Sequence, residues 1–580
     1  MFSRAALPLL AVLLLFTNLG APRLWDRDEP RNAGCAAEML RTNNWSVPVF
    51  NGELRTHKPI LLYWAMLGSY TVFGVNEFAA RLPSALFALS SLGLTYGIAR
   101  RLFDKRIAIG SVIVLSSTLM FNVAARAATP DSALIFCVTL SLYLFVCENG
   151  LQQPYGSKTW SHWALYASLG LGVLAKGPIG FVLPICIVGL TCMLANWPDV
   201  LRTENRWQTI LRIARCTPLH FLRTAIAMRP VSGVITALVV CVPWYAYVGY
   251  RTGGVWLTEF FWQHNVSRAV SPMEGHSGPP VLYYLVAILV GFFPWSVLAA
   301  PATAFTVRHF RSLDPHASER LSIRFLCCWL GVWVGAFSLA GTKLPSYVTP
   351  CYPAIAILVS WFVCHVAEAT AWRPLIRLLK LSNATLVLVG ATILIAVPIA
   401  IHQLAPGSEW LGVLGLVPLL GGTLGWIRLT QSRFTAAMQW LGGTSLLFCW
   451  LLFGFGAVQI SRNQQYVEFL GPIRTDDRPV LAWGSLEPSW VFYAKQNISF
   501  FTTNQSDALR QYFSQSEHQD VYALVPRHLL REFPVAKGQA VREIHSTRYF
   551  LKEAEVVLLH VQTIPATRPE LAQQDSRHLQ

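Results

Sequence analysis

Thirteen apolar runs recur along this 580-residue chain, near 5–21, 79–99, 107–125, 132–148, 161–176, 178–195, 231–249, 281–301, 325–341, 345–366, 382–402, 409–427 and 436–458. A helix needs roughly 17 to 25 apolar residues to cross the hydrocarbon core of a bilayer. Backbone groups in lipid must satisfy one another, so such runs read as membrane-spanning α-helices. Composition agrees: 53% of the residues are hydrophobic and only 13% are charged. The net charge of +16 does not point to nucleic acid, because the basic residues sit in short loops between apolar runs instead of on one soluble face.

Those loops set the orientation. If the N-terminus is cytoplasmic, the inside loops include 100–106, 149–160, 196–230, 302–324, 367–381 and 428–435, and five of them hold nineteen Lys and Arg. That asymmetry is the signature of cytoplasmic loops. Thirteen spans then divide the chain into a membrane unit, residues 1–459, and an outer segment, 460–580. In the outer segment short β-like runs ("RPVLAW", "ISFFTT", "DVYALVP", "EVVLLHVQ") alternate with amphipathic helical ones, which predicts a small soluble α/β domain. The tail after Thr563 reads as disordered. Twelve scattered cysteines, mostly within apolar runs and without ligand spacing, read as packing residues and give no metal site.

On this topology the polar residues of chemical interest share the outer face. The first outer loop, 22–78, opens with "LWDRDEPRN" and carries Asp28, Glu29, Arg31, His57 and Lys58. "ARAATPDSA" contributes Arg126 and Asp131, "LAKGPIG" Lys176, and "FFWQHNVSRAVSPMEGHSGPP" His264, Arg268, Glu274 and His276. "AGTKLPSYVTP" adds Lys343 and Tyr347. Each has a plain structural role available. Asp28 and Asp131 can cap helices, a Lys at a span end can snorkel, and Trp244, Trp262 and Trp295 can form an interfacial belt. Taken as a set, two carboxylates among several cations at one membrane face suit the handling of a phosphate and a sugar. A lipid-linked phosphosugar fits, since its tail needs the bilayer and its head lies at the interface.

These residues resemble a known family, the GT-C membrane glycosyltransferases, in particular the branch holding bacterial aminoarabinose-to-lipid A transferases and relatives of protein mannosyltransferases. The resemblance runs over about residues 5–370. It is carried by "RDEPRNAGCAAEMLRTNNWSVPVFNGELRTHKPILLYW", "FGVNEFAARLPSAL", "ATPDSAL", "LAKGPIGFVLP", "HNVSRAVSPMEGHSGPPVLYYL" and "AGTKLPSYVTPCYPAIAIL", in that order. It implies a polytopic α-helical bundle with interfacial helices in the first loop and a small C-terminal α/β domain. It implies transfer of a sugar from a polyprenyl phosphate to an extracytoplasmic acceptor, with inversion, in a bacterial inner membrane by a monomer.

By the same resemblance Asp28 is the central catalytic carboxylate, with Glu29 and Arg31 beside it, and Asp131 is the second carboxylate, orienting Arg31 or the sugar. Lys58, Lys176, Arg268, Lys343 and Tyr347 surround the donor phosphate and sugar, and His57 and His264 line the same region. The acceptor is a lipid A-like glycolipid or an envelope glycan, or, as in the protein O-mannosyltransferases, a protein. The family's Glu-Lys-Pro-Pro stretch reads His57-Lys58-Pro59-Ile60 here, and Asn32 stands where a Tyr is common. Neither aminoarabinose specificity nor a divalent metal is therefore carried over. A sugar-lipid transporter is the alternative from another class. It would place ionisable groups at mid-membrane in repeated halves, and this sequence shows no such repeat.

Overall fold

The computed structural model describes residues 6–25, 28–149, 151, 159–195, 206–271, 278–314, 317–366, 372–515, 520–535 and 538–563. Each of the thirteen apolar runs falls largely on helix among the described residues. Among the described residues eight helices are long and apolar enough to cross a membrane, or nine if the bent pair Lys105–Ser116 and Leu119–Arg126 is one span. The runs at 5–21, 178–195 and 281–301 lie on shorter apolar helices, and the run at 161–176 on Thr159–Lys176.

The run at 107–125, expected as one span, is broken by 70° between Ser116 and Leu119. The Ser-Ser-Thr sequence there explains the break, since hydroxyls compete for helix carbonyls. Ser117 Oγ donates to the Ile113 carbonyl at 2.6 Å and accepts from Trp295 Nε1 at 2.9 Å, while Asn122 Nδ2 donates to the carbonyls of Ser116 (2.8 Å) and Thr118 (2.9 Å). Trp295 is thus buried, and so is Trp244, whose Nε1 donates to the Ser46 carbonyl at 2.8 Å. Of the three tryptophans expected as an interfacial belt, only Trp262 is exposed.

After the first helix, α1 (Ala6–Phe16), the segment 22–78 folds as α2 (Asp28–Arg41), a hairpin of β1 (Val49–Phe50) and β2 (Glu53–Leu54), and α3 (Leu61–Phe73), before the long helix α4 (Glu77–Leu102). The hairpin turn is Asn51-Gly52, both at positive φ (58° and 80°), the pairing a two-residue turn demands. Arg126, one of the polar residues of the outer turns, donates to the carbonyls of Leu14, Leu15 and Thr17 and so closes the end of α1.

The C-terminal region forms a five-stranded sheet of β3 (Val480–Trp483), β4 (Ile498–Phe501), β5 (Asp520–Pro526), β6 (Gln539–Arg548) and β7 (Glu555–Thr563) in the order β4-β3-β5-β7-β6. The β3–β4 and β3–β5 pairs are parallel, joined by helical crossovers, whereas β7 runs antiparallel to both neighbours. Alternation along the strands gives the sheet two faces. Leu481, Trp483, Val521 and Ala523 pack with Leu509 and Phe513 on one side, whereas Val480, Ala482, Tyr522 and Leu524 join Ala33, Ala36, Met39 and Tyr63 of the first loop in a single core on the other. The sheet therefore rests directly on the loop that bears Asp28.

Candidate active site

Asp28 begins α2, where the helix dipole favours a negative charge. Burial works against its ionisation, but Lys58, Arg55, Arg31 and Lys176, in that order of effect, hold its carboxyl below the ordinary range. Arg31 follows one turn along α2. Arg55, a residue that sequence reasoning passed over, is fixed by Tyr63 and Asn32: its Nε donates to the Tyr63 hydroxyl at 3.0 Å and its Nη2 to Asn32 Oδ1 at 3.1 Å. Asn32 Nδ2 in turn donates to the Ala128 carbonyl at 3.0 Å, tying the first loop to the turn that precedes Asp131.

Next to this cluster lies a cavity of about 240 Å³ whose lining includes His57, Lys58, Lys176, His264, Arg268 and Tyr347. Apart from Asn265 and Thr342 its other walls are apolar, with Ile179, Leu183, Ala336, Phe337 and Ala340 among them. Four separate loops meet here. Lys176 ends its helix, and Gly177, at φ +82°, turns the chain into the next one, with the ring of Phe260 only 2.8 Å from where a Cβ would stand. Lys176 forms an ion pair with Asp131, and its ammonium lies 5.2 Å from the centre of the Tyr347 ring. Asp131, expected to orient Arg31 or the sugar, is therefore engaged with Lys176, and Thr129 Oγ1 donates to it at 3.3 Å. Lys58 is pushed down to about 8 by burial, against the pull of Asp28.

His57 and His264 face each other with ring centroids 4.1 Å apart. Burial first, then the neighbouring imidazole and cations, lowers His57 to about 3; burial and Arg268 lower His264 to about 4. Both rings are neutral at any physiological pH. His264 sits on a π-helical turn, Glu259–Ser267, a wide turn of the kind found at functional sites. Thr56 Oγ1 lies 3.3 Å from His264 Nε2 and donates to Glu259 Oε2 at 2.8 Å. Among the described residues no three His, Cys, Asp or Glu side chains converge as metal ligands do. Glu274 and His276 lie outside the described residues.

Two residues placed at the site by sequence have other commitments. Glu29 is buried, and both its oxygens are taken by Arg81: Nε to Oε1 at 2.8 Å and Nη2 to Oε2 at 2.9 Å. The backbone N–H groups of Trp25 (2.7 Å) and Ala128 (2.8 Å) complete its shell. The partner, Arg81, lies 52 residues away on α4, so no local pattern announced the pair. Lys343 is also buried, and its ammonium donates to the carbonyls of Phe337, Ser338 and Ala340 at 2.6–2.9 Å, closing the helix Ser318–Leu339. It is absent from the cavity lining, which includes its neighbours Thr342 and Tyr347.

Residues 57–216 match the family model for dolichyl-phosphate-mannose-protein mannosyltransferase. The undecaprenyl phosphate-alpha-4-amino-4-deoxy-L-arabinose arabinosyl transferase 1 of Pseudomonas fluorescens is 31% identical over 368 residues, 62% of this chain and 60% of that protein. The corresponding transferase of Yersinia pestis is 25% identical over 465 residues, 78% of this chain and 76% of that one. The chain thus spans less than two thirds of the length of the Pseudomonas protein. The crystal structure of ArnT from Cupriavidus metallidurans bound to undecaprenyl phosphate superposes with a TM-score of 0.73 at 22% identity, covering 96% of this chain and 97% of that one. The chain is a polytopic helical membrane protein with the fold of that transferase structure. Both sequence relatives carry the name of aminoarabinosyl transferases.

Proposed function

We propose that the chain is a glycosyltransferase that moves a sugar from a polyprenyl-phosphate donor to an extracytoplasmic glycolipid of the lipid A type or to an envelope glycan. The observation that carries this reading is the cavity, in which Lys58, Lys176 and Arg268 share one space with a wall of aliphatic side chains, beside the carboxylate of Asp28. Cations suit a phosphate and the apolar wall suits the first isoprene units. An acceptor hydroxyl attacks the anomeric carbon from the face opposite the phosphate, so configuration inverts. The bond from that carbon to the phosphate oxygen breaks, its electron pair leaves on the polyprenyl phosphate, and the hydroxyl proton passes to Asp28.

A carboxylate held below its ordinary range is a weak base, which matches a late proton transfer in a reaction driven by loss of a stable anion. Where the acceptor is already an anion, Asp28 orients the donor instead. The cations Lys58, Lys176 and Arg268 are then the groups whose contacts strengthen in the transition state. Asp131 holds Lys176 in place, and Tyr347 covers that ammonium.

The positive-inside pattern supports an N-terminus in the cytoplasm and places residues 1–459 in the membrane unit of this reading. The site and the segment 460–580 then face the periplasm, and the enzyme works as a monomer in a bacterial inner membrane. The match of residues 57–216 to a protein mannosyltransferase model favours a second reading, in which the acceptor is a protein. Incubating purified protein with a radiolabelled polyprenyl-phosphate sugar and envelope extract tests both, since the label ends on lipid and glycan in one case and on protein in the other. Equal transfer by wild type and Asp28→Asn would remove Asp28 from the mechanism.

A further inference from the structure

The charges around the cavity restrict the donor sugar. Among the described residues, the cations acting on Asp28, His57, Lys58 and His264 are Arg31, Arg55, Lys58, Lys176 and Arg268. The carboxylates are Asp28, Asp131 and Glu259. Five cations thus face three carboxylates. A donor phosphodiester brings one negative charge and reduces the excess to a single positive one.

None of these three carboxylates is among the residues lining the cavity. Asp131 pairs with Lys176, Glu259 accepts from Thr56, and Asp28 stands among four cations. Also lining the cavity are two imidazoles, His57 next to Lys58 in sequence and His264 four residues before Arg268, which stay neutral because burial and these cations oppose their protonation.

The hydrogen bonds fix what those rings offer. A hydroxyl has one hydrogen, and Thr56 gives its own to Glu259. Thr56 must then accept from His264 Nε2–H, which leaves His264 Nδ1 with a bare lone pair. That atom and His57 Nδ1 are both buried without a hydrogen-bond partner among the described residues. Buried polar atoms of this kind are costly unless a ligand satisfies them. Sugar hydroxyls, which donate and accept without charge, complete them. An ammonium could also donate to such a lone pair, but it would do so beside Arg268 and Lys58, and among the described residues no carboxylate lines the cavity.

Building on the glycosyltransferase reading above, we propose that the pocket formed by His57, His264 and Arg268 selects a polyprenyl-phosphate donor whose sugar is uncharged, and rejects one bearing a protonated amine. The proposal sets this chain apart from the transferases it resembles by sequence, whose names specify a 4-amino-4-deoxy-L-arabinose donor.

The test uses the purified full chain in detergent at pH 7 and displacement of fluorescent undecaprenyl phosphate. Three competitors carry the same ring: undecaprenyl phosphate bearing L-arabinose, 4-amino-4-deoxy-L-arabinose, and the N-acetylated form of the latter. The expected result is that the charged amine costs at least ten-fold in affinity relative to arabinose and that acetylation, which removes the charge, recovers most of it. The variant His57→Glu, which supplies a carboxylate, narrows or reverses the preference by raising affinity for the amine. Equal or tighter binding of the amino sugar by wild type overturns the proposal, whatever the variant does. Failure to bind undecaprenyl phosphate itself would instead overturn the glycosyltransferase reading, so the two failures are distinct.

Discussion

Replacing Glu29 by Gln separates a structural role from a substrate-binding one. The carboxylate is 5% exposed and Arg81 4% exposed, and two charged hydrogen bonds at 2.8 and 2.9 Å join them. Arg81 also donates to the carbonyls of Leu19 (3.1 Å), Pro22 (2.7 Å) and Arg23 (2.8 Å), so the pair holds the stretch leading into Asp28. Removing one member of a buried pair leaves the other charge uncompensated, which costs about 3–5 kcal/mol. For a chain of this size that is a fall in melting temperature of roughly 2–4 °C. Tryptophan fluorescence of the detergent-solubilised protein measures the fall, and a double-mutant cycle with Arg81→Met isolates the pair from the carbonyl contacts. At temperatures below the transition the variant should keep its KM for the lipid donor. An unchanged melting temperature with a ten-fold or greater rise in donor KM would refute the reasoning and return Glu29 to the substrate site.

The remaining predictions concern the cations and the C-terminal contacts. Burial lowers Lys58 to about 8, so its cationic form, and the donor affinity it supplies, are present below that pH and lost as pH rises through it; Lys58→Arg should carry binding to higher pH, as donor titrations from pH 6 to 10 would show. His57 and His264 contribute no step between pH 5 and 9, because they remain neutral there. Lys176→Met strands Asp131 and removes a phosphate cation, so kcat/KM for the donor should fall by more than the ten-fold that corresponds to about 1.4 kcal/mol. Tyr493→Phe deprives the Leu24 N–H (2.8 Å) and Glu77 Oε1 (3.2 Å) of a shared partner; a loss of about 1–3 kcal/mol is expected, with faster amide exchange in residues 22–31 as its local sign.

Much of the site was legible because its signals were local. A run of about twenty apolar residues or a "DEP" at a helix start is visible in a short window. Position relative to the spans then put Asp28, Lys58, Lys176, His264, Arg268 and Tyr347 on one face, and the structure brings these residues together in and beside one cavity. What the sequence could not disclose are long-range choices. Glu29 and Asp28 are adjacent acids, but successive residues on a helix point about 100° apart. One faces cations of the site and the other faces Arg81. Lys343 reads as a site cation from its loop, but its long stem curls back to three carbonyls at the end of its own helix. Arg55 escaped attention since nothing near it in sequence marks Asn32 and Tyr63 as its partners. The break at Ser116–Thr118 needed the hydroxyl geometry to be seen, as apolar content alone suggests one straight span.

On the proposed function, the contacts of the sheet with the first loop give the C-terminal region a role in holding the groups that act on substrate. A loop of more than fifty residues between two spans has many conformations, and catalysis needs Asp28 and Lys58 held relative to one another. The C-terminal region grips that loop at two places, one upstream of each of these residues. Upstream of Asp28, Tyr493 accepts from the Leu24 N–H, Gln464 Nε2 donates to the Leu24 carbonyl at 3.1 Å, and Trp25 packs on Phe550 at 5.5 Å. Upstream of Lys58, the hairpin tip docks on edge strand β4: Asn51 Nδ2 donates to the Ile498 carbonyl at 2.9 Å, and the Ile498 N–H donates to Asn51 Oδ1 at 2.7 Å. Arg41, at the far end of α2, adds bonds to the Lys495 carbonyl and to Asn497 Oδ1. A side-chain amide that pairs in both directions with an edge strand fixes register as a further strand would, and it also covers part of an edge that would otherwise be open to association. On the proposed function, the C-terminal region thus acts on chemistry by restricting the freedom of the loop on which Asp28 and Lys58 stand.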